Sequence, residues 1–223
     1  MLVVVGGHSR NTGKTSVVCG LIRQLPEFNW TAIKITQYGH GVCSQDGKAC
    51  ECKDPLHPVM LSAETGAKPQ TDSGRYLVSG ARRAFWLRTA AGDLAEALPR
   101  LRTLLAEGGN FMVESNSLIQ VMRPDLYILV VDGSNPDFKP SCRKVLDRVD
   151  VVADTSGAPW NWEGVPTGLL EKRPRYAAFA PGYESDALAG FVANSFTRSY
   201  RTTGSRSTPF GHTTDPSSGS TRT

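Results

Sequence analysis

No apolar run in this 223-residue chain comes near the roughly 20 residues needed to cross a bilayer, so no membrane-spanning helix is expected. No basic stretch precedes the first apolar run, and residues 1–5 are too short for a signal-peptide core; a cytoplasmic location follows. Aromatic residues make up only 8%, and no basic patch with interleaved aromatics lies before the C-terminal tail, which argues against nucleic acid as a partner. No internal repeat is present.

What remains is an ordinary globular composition, 39% hydrophobic and 21% charged, in a chain long enough for one sizeable α/β domain. The net charge of +4 sits mostly at the C-terminus, where Arg198, Arg201, Arg206 and Arg222 face only Asp215. Residues 197–223 are rich in Ser, Thr, Gly and Arg and too poor in large apolar side chains to offset the entropy of ordering. The sequence therefore predicts one domain over residues 1–196 and a disordered tail after it.

Apolar periodicity places strands at 2–5, 30–36, 84–87, 111–113, 126–131, 149–153 and 176–180. Helices are expected at 14–25, 59–66, 74–82, from Leu94 to Leu105 with a bend or restart at Pro99, and at 185–195. Residues 126–131 are so continuously apolar that both faces of that strand must be covered. Alternating strands and helices predict a doubly wound α/β fold with a mostly parallel central sheet, in a P-loop NTPase arrangement.

The chemistry begins after the first strand. Gly7-His8-Ser9-Arg10-Asn11-Thr12-Gly13-Lys14-Thr15 departs from the strict pattern G-x-x-x-x-G-K-[ST] by one residue, with five residues between its glycines. Glycines allow the tight curve that turns backbone N–H groups inward and makes an anion nest at a helix N-terminus. Gly7, Asn11, Thr12, Gly13, Lys14, Thr15 and Ser16 are thus candidate phosphate ligands. Lys14 would reach the β and γ phosphates, and the Thr15 hydroxyl would coordinate Mg²⁺. The spacing resembles that of dethiobiotin synthetase and related amide-forming and cofactor-handling NTPases.

Three further segments extend the resemblance: Lys34 in Ala32-Ile33-Lys34-Ile35, Asp72-Ser73-Gly74-Arg75 followed by Gly80-Ala81, and Val113-Glu114. With the glycine loop, and in this order, they resemble the molybdopterin-guanine dinucleotide biosynthesis protein B family over residues 2–132. The resemblance implies a GTP-binding protein that assists molybdenum cofactor assembly or its delivery to an enzyme, and hence a cofactor-biosynthesis protein as partner. It departs from the family where histidines after the strand lysine become Thr36, Gln37 and Tyr38, and where the glycine after the glutamate becomes Ser115.

Glu114, at the end of a buried strand, is the candidate catalytic and Mg²⁺-binding carboxylate beside Lys14, with Asp72 as a second Mg²⁺ ligand. Lys34 and Arg75 are candidate anion contacts. Each residue also has a structural reading: a helix-capping or salt-bridged glutamate, an N-cap or turn aspartate, a surface lysine. The N-K-x-D element that reads guanine in many GTPases is absent, so GTP and ATP both remain open; residues 152–155 occupy the strand end where a base contact would fall.

Residues 37–58 are polar, without periodicity, and hold Cys43, Cys50 and Cys52 between His40 and His57. Three thiols and two imidazoles are enough ligands for one Zn²⁺, although the spacing is not that of a standard zinc ribbon or finger, and free thiols are the alternative. The leading function is therefore Mg²⁺-dependent nucleoside triphosphate binding and hydrolysis in cofactor assembly. A nucleotide-switched metal-binding chaperone, an ATP-dependent ligase and a homodimeric state stay open.

Overall fold

The computed structural model describes residues 1–38 and 59–203. Along the chain run β1 (Leu2–Gly7), α1 (Lys14–Gln24), β2 (Thr31–Tyr38), β3 (Met60–Ala63), α2 (Asp72–Val78) and β4 (Arg83–Ala90). There follow α3 (Leu94–Ala106), β5 (Phe111–Glu114), α4 (Leu118–Val121), β6 (Leu126–Val131) and α5 (Pro140–Arg143). The order closes with β7 (Val151–Asp154), α6 (Gly168–Glu171), β8 (Arg175–Ala177) and α7 (Asp186–Thr203).

These strands form one sheet in the order β3-β4-β2-β5-β1-β6-β7-β8. Every pairing is parallel except β3 with β4. The strand residues alternate between two cores. Val3, Val5, Ala32 and Ile128 pack with α1, α2 and α7 on one face; Val4, Ile33, Val113 and Leu129 pack with α3, α4, α5 and α6 on the other. Helices on both faces explain why β6 is buried along its whole length. The fold is thus the expected doubly wound α/β sheet.

Three local expectations change. Residues 60–63 are a strand rather than part of a helix, because they pair antiparallel with residues 85–88 of β4 and close that edge of the sheet. Helix α3 continues through Pro99 as one helix rather than restarting there; Pro99 lies on its exposed face while Leu94, Ala97, Leu98, Leu101 and Leu104 hold the buried face in place. Helix α7 extends to Thr203, beyond the expected helix end at 195; Phe196 packs 4.0 Å from Phe28 and 5.5 Å from Trp30, ring to ring. No helix among the described residues is long and apolar enough to cross a membrane.

Because β1, β2, β5, β6 and β7 run parallel, their C-terminal ends share one edge, where open α/β sheets form their crevice. A cleft of about 990 Å³ lies there.

Candidate functional site

Residues 8–13 leave the end of β1, where the His8 amide still bonds to the Val130 carbonyl (3.2 Å), and curl back above Gly7. A Cβ on Gly7 would stand 2.6 Å from the Thr12 hydroxyl and 2.8 Å from the Lys14 side chain, so only glycine permits the curl. Asn11 and Gly13 both have positive φ, 57° and 84°, which turns the chain into α1. Gly13 is the N-cap and supplies no side-chain oxygen to the first turn of α1. That leaves the N-terminal amides of Lys14, Thr15 and Ser16 without a side-chain cap, facing the cleft that these residues line.

Lys14 donates to the Ser9 carbonyl at 2.9 Å. Burial lowers its ammonium to about 8; Glu114 opposes the shift, and Lys139 and Lys34 add to it. An ammonium held below its usual range by burial gains from an anion brought into the same cleft.

Glu114 is the centre of the site. It is 2% exposed, at the end of β5, the neighbour of β1. One carboxylate oxygen accepts from the Thr15 hydroxyl at 2.7 Å and from the Tyr76 hydroxyl at 2.5 Å; the other is paired with the Lys34 ammonium. Lys34 also pairs with Asp72 at 2.9 Å. Burial alone would lower Lys34, but the two carboxylates outweigh it and hold the ammonium above its usual range. Burial and the adjacent Glu114 push the Tyr76 phenol upward, so Tyr76 is a hydrogen-bond donor and not a proton source near neutral pH. Arg75, one turn into α2, donates to Ser16 at 3.0 Å and so ties α2 to α1.

On the other side of β1, the loops after β7 and β8 close over α1. Thr155 donates to the Thr12 carbonyl at 3.2 Å, and the Tyr183 ring stands where a Cβ on Gly13 would lie, 2.7 Å away. Arg23 of α1 binds Glu184 at 2.6 Å and the Gly182 carbonyl at 2.8 Å, which fixes that wall. Asp154, at the strand end where a base contact was expected, accepts from the Ser156 and Gly157 amides at 3.0 Å and from Arg175 at 2.9 Å. Its carboxylate is consumed by the fold.

The structure therefore brings Gly7, Asn11, Thr12, Gly13, Lys14, Thr15, Ser16, Lys34, Asp72, Arg75 and Glu114 into one place, the separate sequence segments converging on a single cleft. Thr71, not Asp72, caps α2, its hydroxyl accepting from the Gly74 amide at 3.0 Å, so Asp72 is free to serve Lys34. Lys34 is held by two carboxylates rather than standing on the surface. Cys43, Cys50, Cys52, His40 and His57 lie outside the described residues. The other cysteines, Cys19 and Cys142, are buried, and burial raises the Cys142 thiol to about 12, so neither is a reactive thiol.

Sequence reasoning missed Tyr76, Asn116 and Tyr183. Tyr76 follows Arg75 directly and could have been found by asking what a seven-residue helix buries. Asn116 accepts from the Gly7 amide at 2.6 Å, a contact across 109 residues that no local pattern announces. No protein-family model matches the chain, and no curated protein matches it.

Proposed function

We propose that this chain binds a nucleoside triphosphate with Mg²⁺ in the cleft and hydrolyses it, acting in the cytoplasm as an accessory factor in molybdopterin guanine dinucleotide assembly. The observation that carries the nucleotide reading is the 2.7 Å contact between Thr15, in the first turn of α1, and Glu114 at the end of the adjacent strand. A hydroxyl and a carboxylate at that separation, beside an uncapped helix N-terminus and a lysine, are the parts a phosphate-binding loop uses to hold a metal-bound triphosphate. The pathway rests on the motif resemblance over residues 2–132.

Thr15, Glu114 and Asp72 offer only oxygen atoms, the donor type a hard cation takes, and two protein ligands are sufficient when phosphate oxygens and water fill the rest. Mg²⁺ bound there would neutralise charge on the phosphates. Lys34 now occupies the Glu114 and Asp72 oxygens, so its ammonium would have to yield part of that contact, and a neighbouring phosphate would receive it. Lys14 and the amides of residues 13–16 hold the phosphates in place. Tyr183 and Thr155 pack against the far side of the loop and hold it in place. Catalysis in this reading is positioning and charge neutralisation, with no side chain needed to accept a proton permanently.

Calorimetric titration with GTP and ATP, with and without Mg²⁺, followed by phosphate-release assays, tests the reading. Micromolar or tighter Mg²⁺-dependent binding of one of them is expected, and failure to bind either would overturn it.

A further inference from the structure

Lys139 precedes α5, on the segment that follows β6, and lines the same cleft as Lys14 although nothing in the sequence singles it out. Its position is set from the glycine loop itself. The Lys139 amide donates to the His8 carbonyl at 2.9 Å, and His8 Nδ1 donates to the Asp137 carbonyl at 2.8 Å. The His8 ring, fully buried, sits 5.2 Å from Phe138 and 4.6 Å from Trp162. The residue that breaks the strict loop pattern is therefore the one that clamps residues 137–139 to the loop.

Among the described residues Lys139 makes no ion pair, whereas Lys34 has two carboxylates. Burial, and then Arg10, lower its ammonium, and Lys139 in turn lowers Lys14. Two partly buried ammonium groups that line one cleft, neither in an ion pair among the described residues, favour an anion in that cleft. The amides at the start of α1, Lys14 and Lys139 all border that cleft.

We propose that Lys139 is a further binding residue of this site, a second ammonium on the terminal phosphate of a bound nucleoside triphosphate. The inference rests on the nucleotide reading above. It makes the cleft selective for triphosphate over diphosphate, because a diphosphate held by the amides of α1 lacks the terminal phosphate that Lys139 would hold.

The test is calorimetric titration of the full chain and of the Lys139→Ala and Lys139→Arg variants. Each is titrated, with Mg²⁺, against a non-hydrolysable triphosphate analogue and the diphosphate of the same nucleoside. Lys139 is partly exposed, so the variants should fold. Lys139→Ala should weaken the triphosphate analogue by roughly tenfold or more and change the diphosphate by less than about twofold, and Lys139→Arg should recover most of the loss. Equal weakening of both ligands, or of neither, in a protein whose wild type binds the analogue overturns the role of Lys139 alone. A wild type that binds neither ligand overturns the nucleotide reading and this inference together.

Discussion

Glu114 and Asp154 make a natural comparison: each is the last residue of a parallel strand, each is 2% exposed, and each stands at the same edge of the sheet, on opposite sides of β1. Burying a carboxylate is costly unless hydrogen bonds meet it, and both are met. The partners differ in kind. Asp154 is held by two backbone amides of its own turn and by Arg175, whose guanidinium also lies 4.3 Å over the Trp160 ring. Glu114 is held by three side-chain groups, Thr15, Tyr76 and Lys34, that come from three other elements, and Thr15 and Lys34 border the cleft. Amides of a turn cannot be exchanged without rebuilding the backbone. A hydroxyl and an ammonium can swing to another anion or make room for a cation. The same residue class at the same depth thus serves the fold on one side and is available for chemistry on the other.

The strongest way to break the comparison is at Lys14, the lysine that faces the Glu114 side without a carboxylate of its own. Lys14→Ala should weaken triphosphate binding by more than about a hundredfold, since two charge-assisted contacts to phosphate are lost together. Unchanged affinity in calorimetry would remove the cleft from consideration as a phosphate site. Next in size is Glu114→Gln, which keeps the shape and a hydrogen-bonding oxygen but removes the charge. Binding should persist while Mg²⁺-dependent phosphate release falls by about a hundredfold, as expected when charge neutralisation in the transition state is lost but ground-state contacts remain. If hydrolysis survives, Glu114 is a structural carboxylate like Asp154.

Asp154→Ala sharpens the contrast from the other side. Removing the acceptor strands the Ser156 and Gly157 amides and frees Arg175, and should cost about 2 kcal/mol of stability. At this chain length that lowers the melting temperature by about 4–8 °C. Nucleotide affinity of the folded fraction should stay within about threefold of wild type. A large selective loss of affinity without loss of stability would mean that Asp154 touches the ligand.

The contrast also explains what could be read from the chain in advance. The strand–glycine loop–helix unit is local: Gly7, Gly13 and the apolar spacing of Val17, Val18, Leu21 and Ile22 specify it within one stretch of sequence, and it forms as expected. Glu114 and Lys34 were recognisable because a charged residue inside an apolar strand needs a reason. The contacts that distinguish Glu114 from Asp154 were not recognisable, since they join residues 38 to 99 positions apart on one side and a turn with a neighbouring strand on the other. Strand β3 escaped notice for a similar reason. Four residues carry little intrinsic preference, and only the exposed edge of β4 decides their conformation.

The smallest effect expected is also the one that ties stability and binding to the same group. Burial lowers the Lys14 ammonium to about 8, well under the value of about 10.4 expected in the unfolded chain. Between these two values the unfolded state binds more protons than the folded one, so stability should rise as pH increases through about 8 to 10. Below pH 8 both states are protonated and the contribution is flat. Phosphate binding has the opposite slope, because only the charged ammonium attracts the anion and its population falls above pH 8. Bound phosphate raises the ammonium again, so the loss of affinity between pH 7.5 and 9 should be only a few-fold. Melting curves and titrations on the same samples read both slopes. Lys14→Met, which cannot titrate, should flatten this part of the stability curve, whereas Asp154→Ala should leave its slope unchanged, since Asp154 is held by the Ser156 and Gly157 amides and Arg175 and has no contact with Lys14. A wild-type affinity and stability that rise or fall together across that window would show that Lys14 is not the group linking them.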